Sequence, residues 1–549
     1  MSQRAYAPGD VVDVVVVGSG AAGGVLAAEL AAAGLAVVVL EQGPWQAPAD
    51  FTHDELAVER QFALLNVAAE PLQTFRRTEA ETAVPATGRR LLYRRAVGGS
   101  SVHFAANYWR FRPVDFRERS LLGPIAGAAF ADWPITYEEL EPYYARAEWE
   151  IGVSGAPGPG DPPRSRPYPL PPLPNKSSGV LLARGARRLG LHAQVAPLAI
   201  LSRPYRGRAA CVGCGRCTYY GCEVGAKSST LVTMLPRAQA TGRCEVRTHA
   251  TALRVETDAR GRAAAVVYRD GAGAERRQRA RAVVLAANGA ESARLLLASA
   301  SPRFPDGLAN SSGAVGRHLM FNGVGTCFGQ FAHPLNEYRG HLVSRVVLDY
   351  YDADPARGFY GGGGIDARMP LGPIGFALGG LPPDAPAWGA GYARALRRDY
   401  ARTVQFAGHT TTLPVAGNSV SLDPTHRDAW GRPALRLTYA DHPDDMRTKH
   451  FFQERARALL EAAGAERVWP QPVVALTGGV HLLGTARMGD DPRRSVVDRY
   501  HRAHDVPNLF VCDGSSFVTS GRGQPTLTIQ ALAFRAAEHI ARLARAYAL

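Results

Sequence analysis

The chain has 549 residues, 46% of them apolar and 20% charged, which allows two sizeable domains around a deep core and excludes a largely disordered protein. Basic residues, nearly all Arg, exceed acidic ones by 63 − 49 = 14. That surplus would suit an acidic protein partner or an anionic substrate, or simply a solvated Arg-rich surface; no Arg/Lys cluster interleaved with aromatics marks a nucleic-acid reader, and no apolar run is long enough to span a bilayer.

The N-terminal MSQRAYAPGD leads straight into VVDVVVV, residues 11–17. This run is short, contains an acid and ends at glycines, so it reads as a first strand and not as the apolar region of a signal peptide. A cytoplasmic location follows as the expectation, with export beside a signal-bearing partner as the alternative. An Ala-rich helix over Ala21–Ala33 and a second strand over Leu35–Leu40, closed by Glu41, complete a βαβ unit. The intervening turn, Gly18-Ser19-Gly20-Ala21-Ala22-Gly23, is a GxGxxG motif. Its first glycine permits a tight turn, its second lets backbone approach a pyrophosphate, and its third lets helix and strand pack closely. The helix N-terminus offers free N–H groups to phosphate, and Glu41 stands where a carboxylate accepts hydrogen bonds from a ribose diol. The motif alone does not separate NAD from FAD.

Residues 156–174 are too rich in proline for regular structure and read as a surface crossing. Four of the seven cysteines follow within twelve residues, as Cys211-x2-Cys214-x2-Cys217-x4-Cys222. The odd total and the clustering favour a metal or redox site over a disulfide framework. The spacing is close to that of ferredoxin-like runs that hold an iron–sulfur cluster; zinc and a structural thiol or disulfide knot are the alternatives. A strand-then-helix pattern returns over Arg281–Ser299, and again in the closing segment from Asn508, where a strand, a Gly-rich loop and a long helix follow one another. Between them, residues 321–474 are richer in strand-like and turn-like segments. The expected fold is α/β, a discontinuous Rossmann-like dinucleotide domain with a mixed-sheet domain inserted.

Three further segments resemble the glucose–methanol–choline (GMC) oxidoreductases and, with the first, touch nearly the whole chain. RRAVGGSSVHFAANYWRF, from Arg94, resembles the family's flavin-contacting loop, with Gly98, Gly99, Ser100 and Ser101 close to the cofactor. NGAESARLLLAS resembles the second family signature. HLLGTARMGDDP, NLFVCDGSSF and QPTLTIQALA resemble the region that carries catalysis and further flavin contacts, here Asp513, Gly514, Pro525 and Thr526. The resemblance implies FAD as the nucleotide. It divides the chain into a first FAD-binding segment (1–155), the Pro-rich crossing with some of the substrate domain (156–210), the cysteine loop with a second FAD-binding segment (211–320), the substrate domain (321–474) and a last FAD-binding segment (475–549).

The resemblance also assigns roles. The histidine of an HxxGT motif, here His481, is the family's catalytic base, and imidazole titrates in the range such a base needs. The second catalytic position, a His or Asn before Pro-Thr in the family, is here Gln524, which still donates and accepts hydrogen bonds on an arm one methylene longer. Its neighbour Arg522 reads either as a substrate-binding residue or as an ordinary surface arginine. His103 stands where related enzymes carry a histidyl-linked flavin, so a covalent bond to FAD and a buried, hydrogen-bonded histidine are both open; Phe104 departs from the Asn or His expected there. The GAKSS after Cys222 resembles membrane-linked sugar dehydrogenases. The implied activity is FAD-dependent oxidation of a CH–OH group of a sugar, glycoside or sugar acid, hydride passing to flavin N5 and electrons leaving singly through a cysteine-bound cluster. The implied partners are a one-electron acceptor protein such as a cytochrome and a small companion subunit. Rival readings are an oxidase using dioxygen, a lyase in which FAD is structural, and a non-catalytic flavoprotein that relays electrons.

Overall fold

The computed structural model describes residues 5–7, 9–59, 72–88 and 90–549. Strand Val11–Val17 pairs in parallel with Val37–Leu40 on one side and with Glu275–Leu285 on the other. Outside these lie Cys244–Arg247 and Leu509–Val511, also parallel. Parallel strands are covered on both faces, which is why Val11–Val17, Val37–Leu40 and the end of Glu275–Leu285 are rich in valine and leucine. On its other edge the long strand Glu275–Leu285 serves two further partners. Its C-terminal half takes Leu509–Val511, while its N-terminal half joins an antiparallel pair, Ala263–Arg269 with Thr251–Thr257. One seven-stranded sheet is thus assembled from three distant stretches of chain.

Helix Ala21–Ala32 packs on the C-terminal helix Thr526–Arg545, which packs in turn on Tyr137–Ile151. The first helix ends at Ala32, one residue short of the expected Ala33, and the strand after it begins at Val37, two residues late. The Leu35 amide is spent on the helix end, donating to Leu30 O across 3.1 Å, after Gly34 turns the chain at φ +91°. Residues 156–174, all of them described, form no helix or strand.

A second sheet has six strands, all joined antiparallel, in the order Arg467–Pro470, Gly323–Gln330, Thr403–Thr410, Gly363–Arg368, Arg345–Val347, Ala193–Val195. Helix Pro443–Ala463 backs it. Pro443 opens that helix, the His442 ring accepts from the Asp444 amide, and Gly464 closes it at φ +90°. Phe452, Ala456, Leu459, Leu460 and Ala463 form its buried stripe, the spacing of one helix face. Strand residues with odd and even numbers point to opposite faces. On Gly363–Arg368, Ile365 and Ala367 therefore join the helix-side core, and Asp366 and Arg368 face the other way. The mixed pairing expected for residues 321–474 occurs in a third sheet, where Pro433–Thr438 pairs antiparallel with Ser419–Arg427 and parallel with Gln73–Arg76. Among the described residues no helix is long and apolar enough to cross a membrane.

Candidate active site

The nucleotide turn is built as its glycines require. A Cβ on Gly18, which sits at φ +94°, would lie 2.5 Å from Ala286 O, and one on Gly23 would lie 1.9 Å from Gly18 O. These two glycines serve the chain's own closure. At Gly20 the nearest atom to an added Cβ is the Gly99 Cα, 3.9 Å away, so the space beside the middle glycine is left for something other than protein. Ala21 and Ala22 begin the helix behind it. Glu41 is buried, and its carboxylate accepts from the Ser19 amide (3.1 Å), the Ser19 hydroxyl (2.7 Å) and the Gly43 amide (2.9 Å). Burial raises its pKa, and these hydrogen bonds oppose the rise.

The loop at Gly98 and Gly99 meets this turn directly. The Gly98 amide donates to Ser19 Oγ at 3.1 Å, and a Cβ on Gly99 would come within 2.8 Å of Gly20 Cα. Ser101 is buried and donates to Gly98 O at 2.6 Å, whereas Ser100 is exposed and accepts from the Arg94 amide. Sequence reasoning missed Thr230, at the end of the GAKSS segment. Its hydroxyl lies 3.1 Å from Ser19 O and 3.4 Å from Gly98 O, tying the two loops together. His103 follows, half-buried, with its ring edge-on to Phe51 and its Nδ1 enclosed without a hydrogen-bond partner among the described residues. Burial, helped by Arg94 and Lys227, pushes its pKa down to about 3, so the ring is neutral with an unsatisfied nitrogen.

Asp513 and Gly514 are placed by the second signature. The Asp513 carboxylate accepts from the Asn288 amide (2.9 Å) and the Ser292 hydroxyl (2.6 Å), and burial raises its pKa. A Cβ on Gly514 would strike Leu482 O at 2.5 Å, and one on Gly289 would strike it at 2.1 Å. The HxxGT turn is clamped between these two glycines, with the Gly484 amide donating to Gly514 O at 3.0 Å.

His481 is thereby fixed, and its partner is Asn322. The ring Nδ1 lies 2.8 Å from Asn322 Oδ1. The amide's orientation is set by its other end, since Asn322 Nδ2 donates to Thr410 O at 3.1 Å and lies 3.5 Å from Gly521 O. Carbonyl oxygens only accept, so Oδ1 is the atom that faces His481, and Nδ1 must carry the proton. The Nε2 lone pair is left for chemistry. Burial, with His409 nearby, holds the His481 pKa down to about 4.

Gly521 and Gly523 bring the Gln524 segment to the same place. A Cβ on Gly523 would lie 2.7 Å from His409 Cβ. Gln524 is half-buried just before Pro525 and Thr526, which open the last helix. His409, Asp366 and Arg368 form a buried polar group on the inserted sheet. His409 Nε2 is 3.0 Å from Asp366 Oδ2 and 2.8 Å from Arg368 Nη2, and Arg368 Nε donates to Asp366 at 2.6 Å. Despite its burial, Arg368 and His409 hold the Asp366 carboxyl down to about 2. Asn107 and Trp109, a few residues beyond Gly98 and Gly99, close over this group. Asn107 Nδ2 lies 3.4 Å from Asp366, the Trp109 ring is edge-on to His409, and Asn107 Oδ1 and Trp109 Nε1 are buried without partners among the described residues.

Two family models described as GMC oxidoreductase match the chain, over residues 12–322 and 414–533. The chain belongs to the GMC oxidoreductase family. As a GMC oxidoreductase it is similar to 2-methyl-1,2-propanediol dehydrogenase of Mycolicibacterium austroafricanum, at 35% identity over 97% of this chain and 96% of that one. It is 30% identical to the fructose dehydrogenase large subunit of Gluconobacter japonicus, over 96% and 97% of the two chains. To the gluconate 2-dehydrogenase flavoprotein of Pantoea cypripedii it is also 30% identical, over 96% and 93%. Among solved structures, pyridoxine 4-oxidase from Mesorbium loti shares the GMC fold, with TM-score 0.64 at 20% identity over 96% and 98% of the two chains.

Arg522 is neither at the surface nor free for substrate. It is 1% exposed, and its guanidinium pairs with Asp115 and Glu118, themselves fully buried, and stacks over Tyr351. Its direction is set by Gly362, where a Cβ would strike Arg522 Nε at 2.8 Å.

The four clustered cysteines are all free thiols, so no disulfide knot is present. With Ile200, Val212, Val224 and Ala226 they line one largely apolar cavity. The Gly213 amide donates to Cys211 Sγ at 3.4 Å and the Lys227 amide to Cys222 Sγ at 3.5 Å. Beneath them the buried Lys227 ammonium donates to the carbonyls of Phe104 (3.0 Å), Cys217 (2.6 Å) and Tyr220 (2.6 Å). The Tyr219 amide donates to His103 O at 2.9 Å. The cysteine loop and the loop that carries Gly98, Gly99 and His103 are thus bonded backbone to backbone. The four sulfurs do not gather within 4.8 Å of one another, whereas a tetrahedral zinc with Zn–S of about 2.3 Å needs sulfurs roughly 3.8 Å apart.

Proposed function

We propose that this oxidoreductase dehydrogenates a CH–OH group of a sugar, glycoside or sugar acid and passes the electrons one at a time to an acceptor protein. The observation that carries the reading is the His481–Asn322 contact, which leaves Nε2 unprotonated and aimed away from Asn322. An alcohol must lose its hydroxyl proton as hydride leaves carbon, and a positioned neutral imidazole is the group for that task. Gln524 orients the reacting hydroxyl, and Asp366, Arg368 and His409 supply hydrogen bonds to further polar groups of the substrate. Relatives named for fructose and gluconate favour a polyhydroxylated substrate.

The open space beside Gly20, the two facing glycine loops and the unpartnered His103 nitrogen fit FAD. Gly18 to Gly23 would hold its pyrophosphate, Gly98 to Ser101 its ring system, and His103 a covalent link. Bound FAD supplies the two-electron acceptor. Cys211, Cys214, Cys217 and Cys222 would hold an iron–sulfur cluster, a reading supported by their spacing in sequence, the apolar lining and the N–H···S bonds. Such a cluster supplies a one-electron relay. A relative named as a large subunit supports a companion subunit for this chain as well, with export alongside it.

The test is anaerobic mixing of the purified protein with aldoses, ketoses, glycosides, alditols and aldonates, following loss of flavin absorption. Iron and acid-labile sulfide are counted in the same preparation. Bleaching by a sugar with iron present supports the reading. Bleaching with stoichiometric peroxide under air would make it an oxidase, and no bleaching by any alcohol would favour a lyase.

A further inference from the structure

One group of potential metal ligands lies outside the flavin site, at the exposed edge of the cysteine run. Among the described residues, the ligand atoms of His53, Cys214 and Glu223 all lie within 4.8 Å of one another. Cys214 is the exposed member of the run, and the side chains of His53 and Glu223 are each 34% exposed. We propose that these three side chains bind a single zinc-class divalent cation, with Cys214 giving its thiolate to this ion in place of a four-thiolate cluster.

The geometry suits one ion. His53 Nε2 and Glu223 Oε2 are 3.2 Å apart, and two ligands at about 2.0–2.1 Å in a tetrahedral shell stand roughly 3.3 Å apart. A half-exposed His–Glu pair alone contributes little to stability. The thiol beside it turns the pair into an imidazole, thiolate and carboxylate set, each a donor type zinc accepts, with the fourth position left to solvent.

The two contributing segments are held in register before any ion arrives. Phe51 packs where Gly221 has no side chain, a Cβ there being 2.0 Å from the Phe51 ring. Two residues on, the His53 ring stands edge-on to Tyr220, with centroids 6.2 Å apart at 90°. The cation joins the 51–54 segment to the cysteine loop. It competes with a four-thiolate cluster for Cys214, and the zinc-loaded protein keeps Cys211, Cys217 and Cys222 for the cavity. This inference does not rest on the reaction proposed above.

The experiment uses the full chain, purified anaerobically with its flavin, equilibrated with one equivalent of zinc and desalted. X-ray absorption at the zinc edge sees zinc regardless of any iron nearby. The expected shell holds one sulfur with nitrogen and oxygen ligands, including imidazole scattering. His53→Ala and Glu223→Gln should each weaken zinc binding at least as much as the roughly 10–100-fold lost when a mere outer-shell partner is removed. Flavin content, unchanged in both variants, certifies folding. A sulfur-only shell, zinc lost on desalting of the wild type, or equal affinity in the two variants and the wild type would overturn the proposal.

Discussion

His481 and Asn322 meet across 2.8 Å, Nδ1 to Oδ1, and this contact decides which nitrogen of the imidazole is free. His481→Ala should keep its flavin yet slow flavin reduction by about 10²–10⁴-fold, the usual contribution of a general base. Asn322→Leu should cost less, roughly 10–10²-fold, because the base remains but loses its enforced tautomer. Stopped-flow reduction measures both. Wild-type rates in His481→Ala would remove the base from the mechanism.

The same contact predicts a pH profile. Burial holds His481 near a pKa of about 4, so the neutral, proton-accepting form predominates above that value and is lost below it. Flavin reduction should be level from about pH 6 to 8 and fall only as pH approaches 4. Asn322→Asp places a carboxylate against Nδ1–H, favours the imidazolium, and should move the acid limb upward by about one pH unit or more. An unmoved limb would show that another group governs it.

Asp366 is expected to matter to substrate and not to cofactor. Asp366→Asn weakens the hold on Arg368 and His409 beneath Asn107 and Trp109. Losing one charge-assisted hydrogen bond, worth about 1.5–3 kcal/mol, lowers kcat/KM by about tenfold or more. Flavin content should be unchanged. Steady-state kinetics across several sugars tests this, and loss of FAD instead would place Asp366 in the fold's framework.

Arg522 makes a stability prediction. Arg522→Met strands Asp115 and Glu118 as unpaired buried carboxyls, and breaking a buried ion pair costs about 3–5 kcal/mol. The thermal midpoint should drop, and adding Asp115→Asn and Glu118→Gln to the same variant should restore some of it. No recovery in the triple variant would mean that packing over Tyr351, not charge, is what Arg522 contributes.

For His103 the readout is visible by eye. If the enclosed Nδ1 marks a flavin bond, acid-precipitated protein stays yellow and His103→Ala releases its flavin into the supernatant. Free FAD from the wild type would leave the histidine as a packing residue.

The nucleotide turn was legible because its requirements are local: strand, glycines, helix and acid follow within Val11–Glu41, and each does a backbone job visible in one short stretch. His481 and the cysteine run were legible as motifs. Asn322, Asp366, Arg368 and His409 carry no motif, because they come from three separate stretches of chain and meet only through sheet register, Asp366 opposite Ala407 and Gly364 opposite His409. Arg522 was misread for the related reason that sequence adjacency to Gln524 says nothing of direction. Its two carboxylate partners lie some four hundred positions earlier, at 115 and 118.

The first helix, Ala21–Ala32, is buried largely by Thr526–Arg545, and the first sheet takes its outer strand, Leu509–Val511, from the same end of the chain. During synthesis the apolar face of that helix therefore emerges long before the segment that covers it. Contacts this distant in sequence form slowly, and the exposed surface invites aggregation meanwhile.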